Sequence, residues 1–174
     1  MRVEAFGLNE DWGQVVSAAE RAEAMGFDYF ASPEISADPF LPLAPVALAT
    51  QRIGLRTAVA VAFPRSPMVV AEIAWGLQVN SRGRFTLGLG TQVKGHNERR
   101  FSVSWAEPAK RLREYVESLR AIWRCWEHGE PLRYEGSHYR FTLMTPEFSP
   151  PPSGLPPVPI YIAAVRPTMI RLAG

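Results

Sequence analysis

The stretch that decides the fold is Ser81-Arg82-Gly83-Arg84-Phe85-Thr86-Leu87-Gly88-Leu89-Gly90-Thr91. It predicts an apolar strand over residues 85–89 that runs into glycine and then into a polar loop over residues 91–100. Glycine has no Cβ, so the backbone at Gly88 and Gly90 can approach a flat ligand closely. In α/β proteins, the carboxyl ends of the strands form the edge that binds cofactors. The stretch therefore predicts a ligand-binding edge at this end of a sheet.

Composition places the chain among ordinary globular proteins. Its 174 residues are 47% hydrophobic and 21% charged, which is enough for one domain with a core. The net charge of +2 is too small to indicate nucleic acid or a membrane surface as a partner. Cys125 is the only cysteine, so an internal disulfide is excluded. With no apolar leader and no apolar run of membrane length, the sequence predicts a cytoplasmic protein.

Strand-like and helix-like segments alternate along the chain. Strands are expected over residues 3–7, 28–32, 55–62, 85–89 and 158–165, with helices over residues 12–25 and 43–52 and from residues 67, 108 and 167 onward. Such alternation with apolar strands predicts a parallel sheet covered by helices. The pattern alone leaves two architectures open. One is a complete doubly wound sheet of five strands, and the other is an incomplete (β/α)8 barrel, which needs about 250 residues.

The segment of residues 130–157 breaks this alternation. Residues 132–135 and 138–143 flank Gly136 and Ser137, a pattern that predicts a hairpin. A run of prolines follows, which predicts an extended insertion on the surface.

A series of short motifs spreads over the whole chain. They lie at residues 22–28, 33–34, 38–43, 50–59, 64–67, 81–84, 87–91, 113–115 and 162–164. In this order they resemble the first part of luciferase-like monooxygenases, within the subgroup that uses the deazaflavin coenzyme F-420. The resemblance implies a partial (β/α)8 TIM barrel with about five parallel strands and a Pro-rich insertion before the fifth. Residues 1–174 would then be the N-terminal portion of one such domain, without its C-terminal strands.

The resemblance also implies an activity. The expected function is an oxidoreductase that transfers a hydride between coenzyme F-420 and a small organic substrate. The alternatives are an FMN-dependent monooxygenase of the same superfamily and a truncated, non-catalytic flavin-binding fragment that self-associates. Because five barrel strands leave two open sheet edges, the expected partner is a second copy in a homo-oligomer or a missing C-terminal half.

Two groups of residues are expected to bind the cofactor. The resemblance places Ala58 and Val59 at a bulge, where a non-proline cis peptide supports the ring. It also places Gly90, Thr91 and Gln92, at the end of the fourth strand, beside the ring or the side chain of the cofactor. Ala163, Ala164 and Val165 end the fifth strand ahead of a helix, where backbone N–H groups can bind phosphate and small side chains leave room. From residue type alone, these positions predict only a buried strand, a tight turn and an ordinary strand-to-helix connection.

Glu34 and His96 are the candidates for catalysis. Glu34 falls where the family places an acidic or polar residue beside the ring, although residue type alone favours a solvated loop. Ile35 stands where related enzymes often carry a histidine, so His96 becomes the remaining candidate proton donor. His96 lies in a charged run, residues 94–100, which can meet the anionic tail of F-420 or can simply be solvated. The spacing of the histidines predicts no metal site.

Overall fold

The computed structural model of the chain describes residues 1–7 and 11–174. The elements in chain order are β1 (Glu4–Phe6), α1 (Trp12–Ala24), β2 (Tyr29–Ser32), α2 (Leu43–Ala49), β3 (Gly54–Thr57), β4 (Ala60–Val61), α3 (Pro67–Asn80), β5 (Phe85–Gly90), α4 (Lys94–Arg99), α5 (Pro108–His128), β6 (Tyr134–Glu135), β7 (Arg140–Phe141), a 3-10 helix (Pro146–Phe148), β8 (Ile160–Ile162) and α6 (Pro167–Ala173). No helix among the described residues is long and apolar enough to cross a membrane.

The main sheet has the strand order β1-β2-β3-β5-β4, and β8 also pairs with β5. The strands β1, β2, β3, β5 and β8 are joined by parallel pairing. Their order in the sheet follows their order in the chain, with no reversal of the kind that defines a doubly wound sheet. The prediction of about five parallel strands with helices, in the order of a partial TIM barrel, is therefore confirmed.

The chain divides into two compact units, of which the first comprises Met1–Ala60, Ile73–Gly90 and Val158–Ala163. Its central strand, β5, is covered on both faces, whereas β1, β3 and β8 are only partly buried. Every residue of β5 is buried, and Phe30, Leu55, Phe85 and Leu87 are completely inaccessible. Burial of such side chains contributes about 1.5–3 kcal/mol each, so this cluster is the main source of the unit's stability.

Arg84, directly before β5, organises the connection between α2 and β3. Its guanidinium donates to the carbonyl oxygens of Ala47, Thr50 and Ile53 at 2.9, 2.9 and 2.7 Å. It also donates to the Thr50 hydroxyl at 3.0 Å and to the Ser81 carbonyl at 2.8 Å. These carbonyls lie where a helix ends and a strand has not yet begun, so they have no partners in regular structure. One arginine therefore satisfies three carbonyl groups of the connection between α2 and β3.

The second unit comprises Val61–Glu72, Thr91–Pro157 and Ala164–Gly174. It is built on α5, which begins at Pro108 and ends before Gly129, whose φ of 67° suits glycine. Leu112, Leu119 and Ile122 are fully buried on one face of this helix. Trp123, Cys125 and Trp126 are buried on this helix too.

The insertion is fixed to α5 by two carboxylates. Glu114 accepts hydrogen bonds from the Ser137 hydroxyl and the His138 amide, both at 2.7 Å. This contact holds the turn of the hairpin formed by β6 and β7, which confirms the hairpin prediction. Glu127 accepts from the Ser153 amide, the Ser153 hydroxyl and the Gly154 amide within the Pro-rich run.

Several predicted boundaries differ from the structure; the strand expected over residues 158–165, for example, is formed only over Ile160–Ile162. The strand expected over residues 55–62 is interrupted at Ala58 and Val59, so that β3 and β4 are separate. The expected loop over residues 91–100 contains the short helix α4. The helix expected to reach residue 52 ends at Ala49, because Glu23 Oε1 accepts the backbone N–H groups of residues 51–53 and holds them in a turn.

Candidate cofactor site

The interruption between β3 and β4 lies at the carboxyl end of β3. The peptide bond between Ala58 and Val59 is cis, as the resemblance implied. The Ala58 amide donates to the Ser32 carbonyl at 2.9 Å, which ties this segment to the end of β2. Both Ala58 and Val59 are half-buried. The segment therefore forms part of the sheet edge and not of the core that the strand pattern predicted.

Gly88 lets the interrupted segment lie directly against β5. Thr57 Oγ1 donates to the Gly88 carbonyl at 2.7 Å and accepts from the Gly88 amide at 2.9 Å. A Cβ atom on residue 88 would overlap the Thr57 carbonyl oxygen. Glycine at this position is therefore required by the neighbouring strand.

Gly90 brings the ends of three strands together. A Cβ on residue 90 would lie 2.8 Å from Val59 Cγ2 and 3.6 Å from Ala163 Cβ. The Ala163 amide donates to the Leu89 carbonyl at 2.8 Å, so the chain beyond β8 continues alongside β5. The structure thus places four predicted cofactor residues of the first unit together: Ala58, Val59, Gly90 and Ala163.

The role of the two glycines differs from the sequence expectation. We expected Gly88 and Gly90 to leave room for a ligand, whereas the structure uses that room for Thr57 and Val59. What remains at the edge are short side chains, because Ala58 is half-buried and Ala163 is exposed. A flat ring can approach backbone closely where no side chain extends beyond Cβ. The accessible surface of the edge therefore includes the short side chains of the alanines, while the space beside the glycines is filled by protein.

Thr91 and Gln92 begin the second unit with a tight turn. The Thr91 hydroxyl donates to the Gln92 carbonyl at 3.0 Å, and Gln92 Oε1 accepts from the Val93 amide at 3.0 Å. The φ of Gln92 is 57°, a left-handed conformation that is uncommon outside glycine. The side chains that we expected to donate to the cofactor therefore also stabilise their own turn.

Asn97 holds this turn in place and was missed by the sequence analysis. Its side chain is completely buried, and Nδ2 donates to the carbonyls of Thr91 and Val93 at 2.9 and 3.1 Å. Its Oδ1 is buried with no hydrogen-bond partner among the described residues. No signal in the sequence indicated it, because Asn97 lies in a run of charged residues.

The other predicted residues of the second unit are more exposed. His96 is exposed on α4, where Lys94 and Glu98 form an ion pair of 3.9 Å. Ala164 is half-buried and Val165 is 90% exposed, both ahead of α6. The basic residues of α4 are exposed to solvent. They are therefore free of core packing both for binding an anionic cofactor tail and for a purely solvated role, the two roles that the sequence left open.

Glu34 and Asp38 follow β2 in the first unit. Asp38 Oδ1 accepts from the Phe40 and Leu41 amides at 2.8 and 3.0 Å, and so it fixes the turn that leads into α2. This is the structural role that its residue type predicts. Glu34 is half-buried in the same loop. Its proposed place beside a ring stays a prediction.

The family model described as luciferase-like monooxygenase matches residues 2–174 of this chain. An uncharacterized protein of Mycobacterium tuberculosis is 48% identical over 164 residues, a match that covers 92% of this chain and 48% of that protein. The F-420-dependent glucose-6-phosphate dehydrogenase of Nakamurella multipartita is 35% identical over 182 residues, covering 98% of this chain and 51% of the enzyme. This chain therefore spans about half the length of these relatives.

Solved structures share the fold at lower sequence identity. An F-420-dependent secondary alcohol dehydrogenase, in complex with an F-420-acetone adduct, superposes with a TM-score of 0.81 at 21% identity. That match covers 99% of this chain and 55% of the dehydrogenase. The oxygenating constituent of 3,6-diketocamphane monooxygenase from Pseudomonas putida, in complex with FMN, gives a TM-score of 0.75 at 18% identity and covers 93% of this chain and 51% of that one. At these identities the similarity establishes the fold alone.

Proposed function

Because this chain belongs to the luciferase-like monooxygenase family, we propose that it forms the cofactor-binding half of an oxidoreductase that uses coenzyme F-420. The reaction would be hydride transfer between F-420 and a small organic substrate. The observation that carries the proposal is the edge formed by Ala58, Val59, Gly90 and Ala163, whose short side chains suit a flat ring. This edge lies at the carboxyl ends of parallel strands, the usual place for cofactors in such folds.

F-420 is preferred to FMN because of the sequence relatives. A curated relative above 30% identity is F-420-dependent, whereas the FMN-bound structure is similar at only 18% identity. FMN-dependent monooxygenation remains the second candidate, since both cofactors present a flat tricyclic ring to the protein. The same edge would accept either ring.

The bound ring would supply the hydride chemistry, and the protein would supply binding, orientation and exclusion of water. In this proposal, Ala58 and Ala163 contact the ring, and the Val59 side chain, packed against Gly90, keeps the edge from shifting. Glu34 would hydrogen-bond the ring from the loop after β2. Thr91, Gln92, Ala164 and Val165 are proposed cofactor contacts in the second unit, where His96 is the proposed proton donor.

The basic residues of α4 would attract the anionic tail of the cofactor. Coenzyme F-420 carries a phosphate and an oligoglutamate, and cationic side chains bind such groups through charge-assisted hydrogen bonds. Lys94, Arg99 and Arg100 are exposed, so they can reach a ligand without loss of core packing. Binding through these residues should weaken as salt concentration rises.

The test is an equilibrium titration of the chain with F-420 and, separately, with FMN, followed by quenching of tryptophan fluorescence and by equilibrium dialysis. We expect saturable binding of F-420 at least about tenfold tighter than that of FMN, a difference of about 1.4 kcal/mol. Ala163→Leu should abolish binding, because Ala163 is exposed and a larger side chain would cover the edge without disturbing the core. Ala24→Leu, at an exposed position of α1, is the matched control.

Each outcome separates the candidates. Tighter binding of FMN would favour the monooxygenase. A folded chain that binds neither cofactor, or an Ala163→Leu variant that binds as well as the wild type, would contradict the proposed edge.

A further inference from the structure

A charged pair crosses one face of the first unit's sheet. Arg56 on β3 forms an ion pair and hydrogen bond with Glu4 on β1, and β2 lies between these strands. Both side chains are only 22% exposed. Strands two positions apart in a sheet are separated by about 9.6 Å, so such a pair requires a long side chain that crosses the intervening strand.

The guanidinium of Arg56 also lies against two aromatic rings. Its Cζ is 5.2 Å from the ring centroid of Tyr29 on β2 and 5.6 Å from that of Tyr161 on β8. Tyr161 is on the opposite flank, since β5 lies between β3 and β8. We call the group of Tyr29, Arg56 and Tyr161 the arginine stack. A planar guanidinium suits this position because it can lie flat against rings, which an ammonium cannot.

The arginine stack gives β8 a second attachment. The backbone of β8 pairs with β5 alone, through registers such as Gly88 with Tyr161. Tyr161 is 47% exposed, so its ring is not held by burial. Side chains at alternate positions of a strand share a face, which places Tyr161 on the same face as Ala163. The contact that fixes Tyr161 therefore acts two residues before the proposed ring-binding position.

We propose that Arg56 is a positioning residue, which holds β8 against β5 through the arginine stack and so sets the spacing between Ala163 and Gly90. This proposal rests on the proposed function, since that spacing matters only if the edge holds a ring. Without the stack, β8 keeps its backbone pairing but loses its tie to β2 and β3. The edge then fluctuates in width, and a flat ring loses contact on one side.

Hydrogen exchange in the absence of cofactor tests whether Arg56 holds β8 against β5. Arg56→Lys keeps the charge and the ability to pair with Glu4 but removes the flat surface. We expect about tenfold faster exchange at the Ala163 amide, which donates to Leu89, with unchanged exchange in α1. Arg52→Lys, at an exposed arginine of the same unit, is the control and should exchange as the wild type. Unchanged exchange at Ala163 in Arg56→Lys would overturn the proposal.

Tyr161 provides the second pair of variants. Tyr161→Phe keeps the ring and should retain wild-type exchange, whereas Tyr161→Leu should match Arg56→Lys. In the double variant, adding Tyr161→Leu to Arg56→Lys should accelerate exchange at the Ala163 amide little further, because the two substitutions remove the same interaction. Additive effects, or loss of protection in Tyr161→Phe, would contradict a stack of ring and guanidinium. Both tyrosine variants alter a half-exposed side chain, so the fold should persist.

Binding of F-420 to the Arg56→Lys variant then tests whether the position of β8 affects the proposed cofactor site. At saturating F-420, the visible absorption band should be displaced less from its free position in Arg56→Lys than in the wild type, and the affinity should fall about tenfold. Unchanged affinity and spectrum despite faster exchange would show that Arg56 is structural only. If the wild type binds neither F-420 nor FMN, the proposed function fails, but the exchange experiment still decides whether Arg56 holds β8.

Discussion

The Thr57 carbonyl oxygen occupies the space that a side chain on residue 88 would need. Thr57 Oγ1 also donates to the Gly88 carbonyl at 2.7 Å and accepts from the Gly88 amide at 2.9 Å. The two residues are 31 positions apart in the chain and are both buried. Their contact fixes the end of β3 on β5, directly before the cis peptide at Ala58 and Val59. The glycine motif therefore defines the shape of the edge through protein packing.

The first prediction concerns Gly88. Gly88→Ala should lower the free energy of unfolding by about 3 kcal/mol or more, because the new Cβ must push the Thr57 backbone away. Urea denaturation followed by tryptophan fluorescence measures this change. Gly76→Ala is the matched control, since no atom lies within 4 Å of a Cβ at that position in α3. It should stabilise the protein by up to about 1 kcal/mol through helix propensity. Equal effects of the two substitutions would contradict the packing argument.

The second prediction concerns Asn97. Asn97→Ala removes the donor shared by the Thr91 and Val93 carbonyls, and we expect a loss of about 1–3 kcal/mol in unfolding free energy. Amide exchange at residues 91–93 should accelerate more than exchange in α5. Asn80→Ala loses one exposed hydrogen bond to the Gly76 carbonyl and should change the stability by less than about 0.5 kcal/mol. If the exchange in the two segments rose equally, Asn97 would support the unit in general and not the turn.

The third prediction concerns Arg84, which makes five hydrogen bonds to four residues. A lysine cannot reproduce this planar set of donors, so Arg84→Lys should cost about 3 kcal/mol in unfolding free energy. Arg82→Lys should cost much less, because Arg82 is exposed and makes a single long bond of 3.4 Å to Gln51. Urea denaturation measures both changes in unfolding free energy. Equal stability of the two variants would contradict the role of the planar donors of Arg84.

The sequence predicted most strands and helices because apolar runs and helical stripes are local patterns with fixed periods, whereas the order of the strands followed only from the family resemblance. It also placed Ala58, Val59, Gly90 and Ala163 at one edge, through resemblance to a family whose motifs occur in the same order. The sequence correctly indicated close approach of another group at Gly88 and Gly90, but the expected group was a ligand and the structure has Thr57 and Val59 there. A sequence shows that a side chain is missing without showing what fills the space.

The residues that the sequence did not reveal act across long separations. Arg84 serves carbonyls more than 30 positions earlier, and Arg56 pairs with Glu4 over 52 positions. Nothing in the local pattern around an arginine indicates such partners. Asn97 was hidden because a buried amide in a charged run looks like another solvated residue. The split between β3 and β4 could not be read from residue type, and only the resemblance placed a bulge at Ala58 and Val59.

The last prediction concerns Glu127 and the pH dependence of the insertion. Hydrogen bonds from the Ser153 hydroxyl, the Ser153 amide and the Gly154 amide hold the pKa of Glu127 below its usual value of 4.5. A carboxyl whose pKa is lower in the folded state stabilises the fold above its unfolded pKa, and this contribution is lost as the pH falls through the folded pKa. Glu127→Gln should therefore lower the melting temperature at pH 6–7, and this effect should shrink as the pH falls through the folded pKa of Glu127, because the wild-type carboxyl then becomes neutral as well. Melting curves of both proteins across this range measure the difference.

Glu130→Gln is the control, because Glu130 is exposed and forms only a solvent-exposed ion pair with Arg124, at 3.7 Å. A constant difference between Glu127→Gln and wild type at every pH would show that the carboxylate's charge is not what fixes the Pro-rich run to α5.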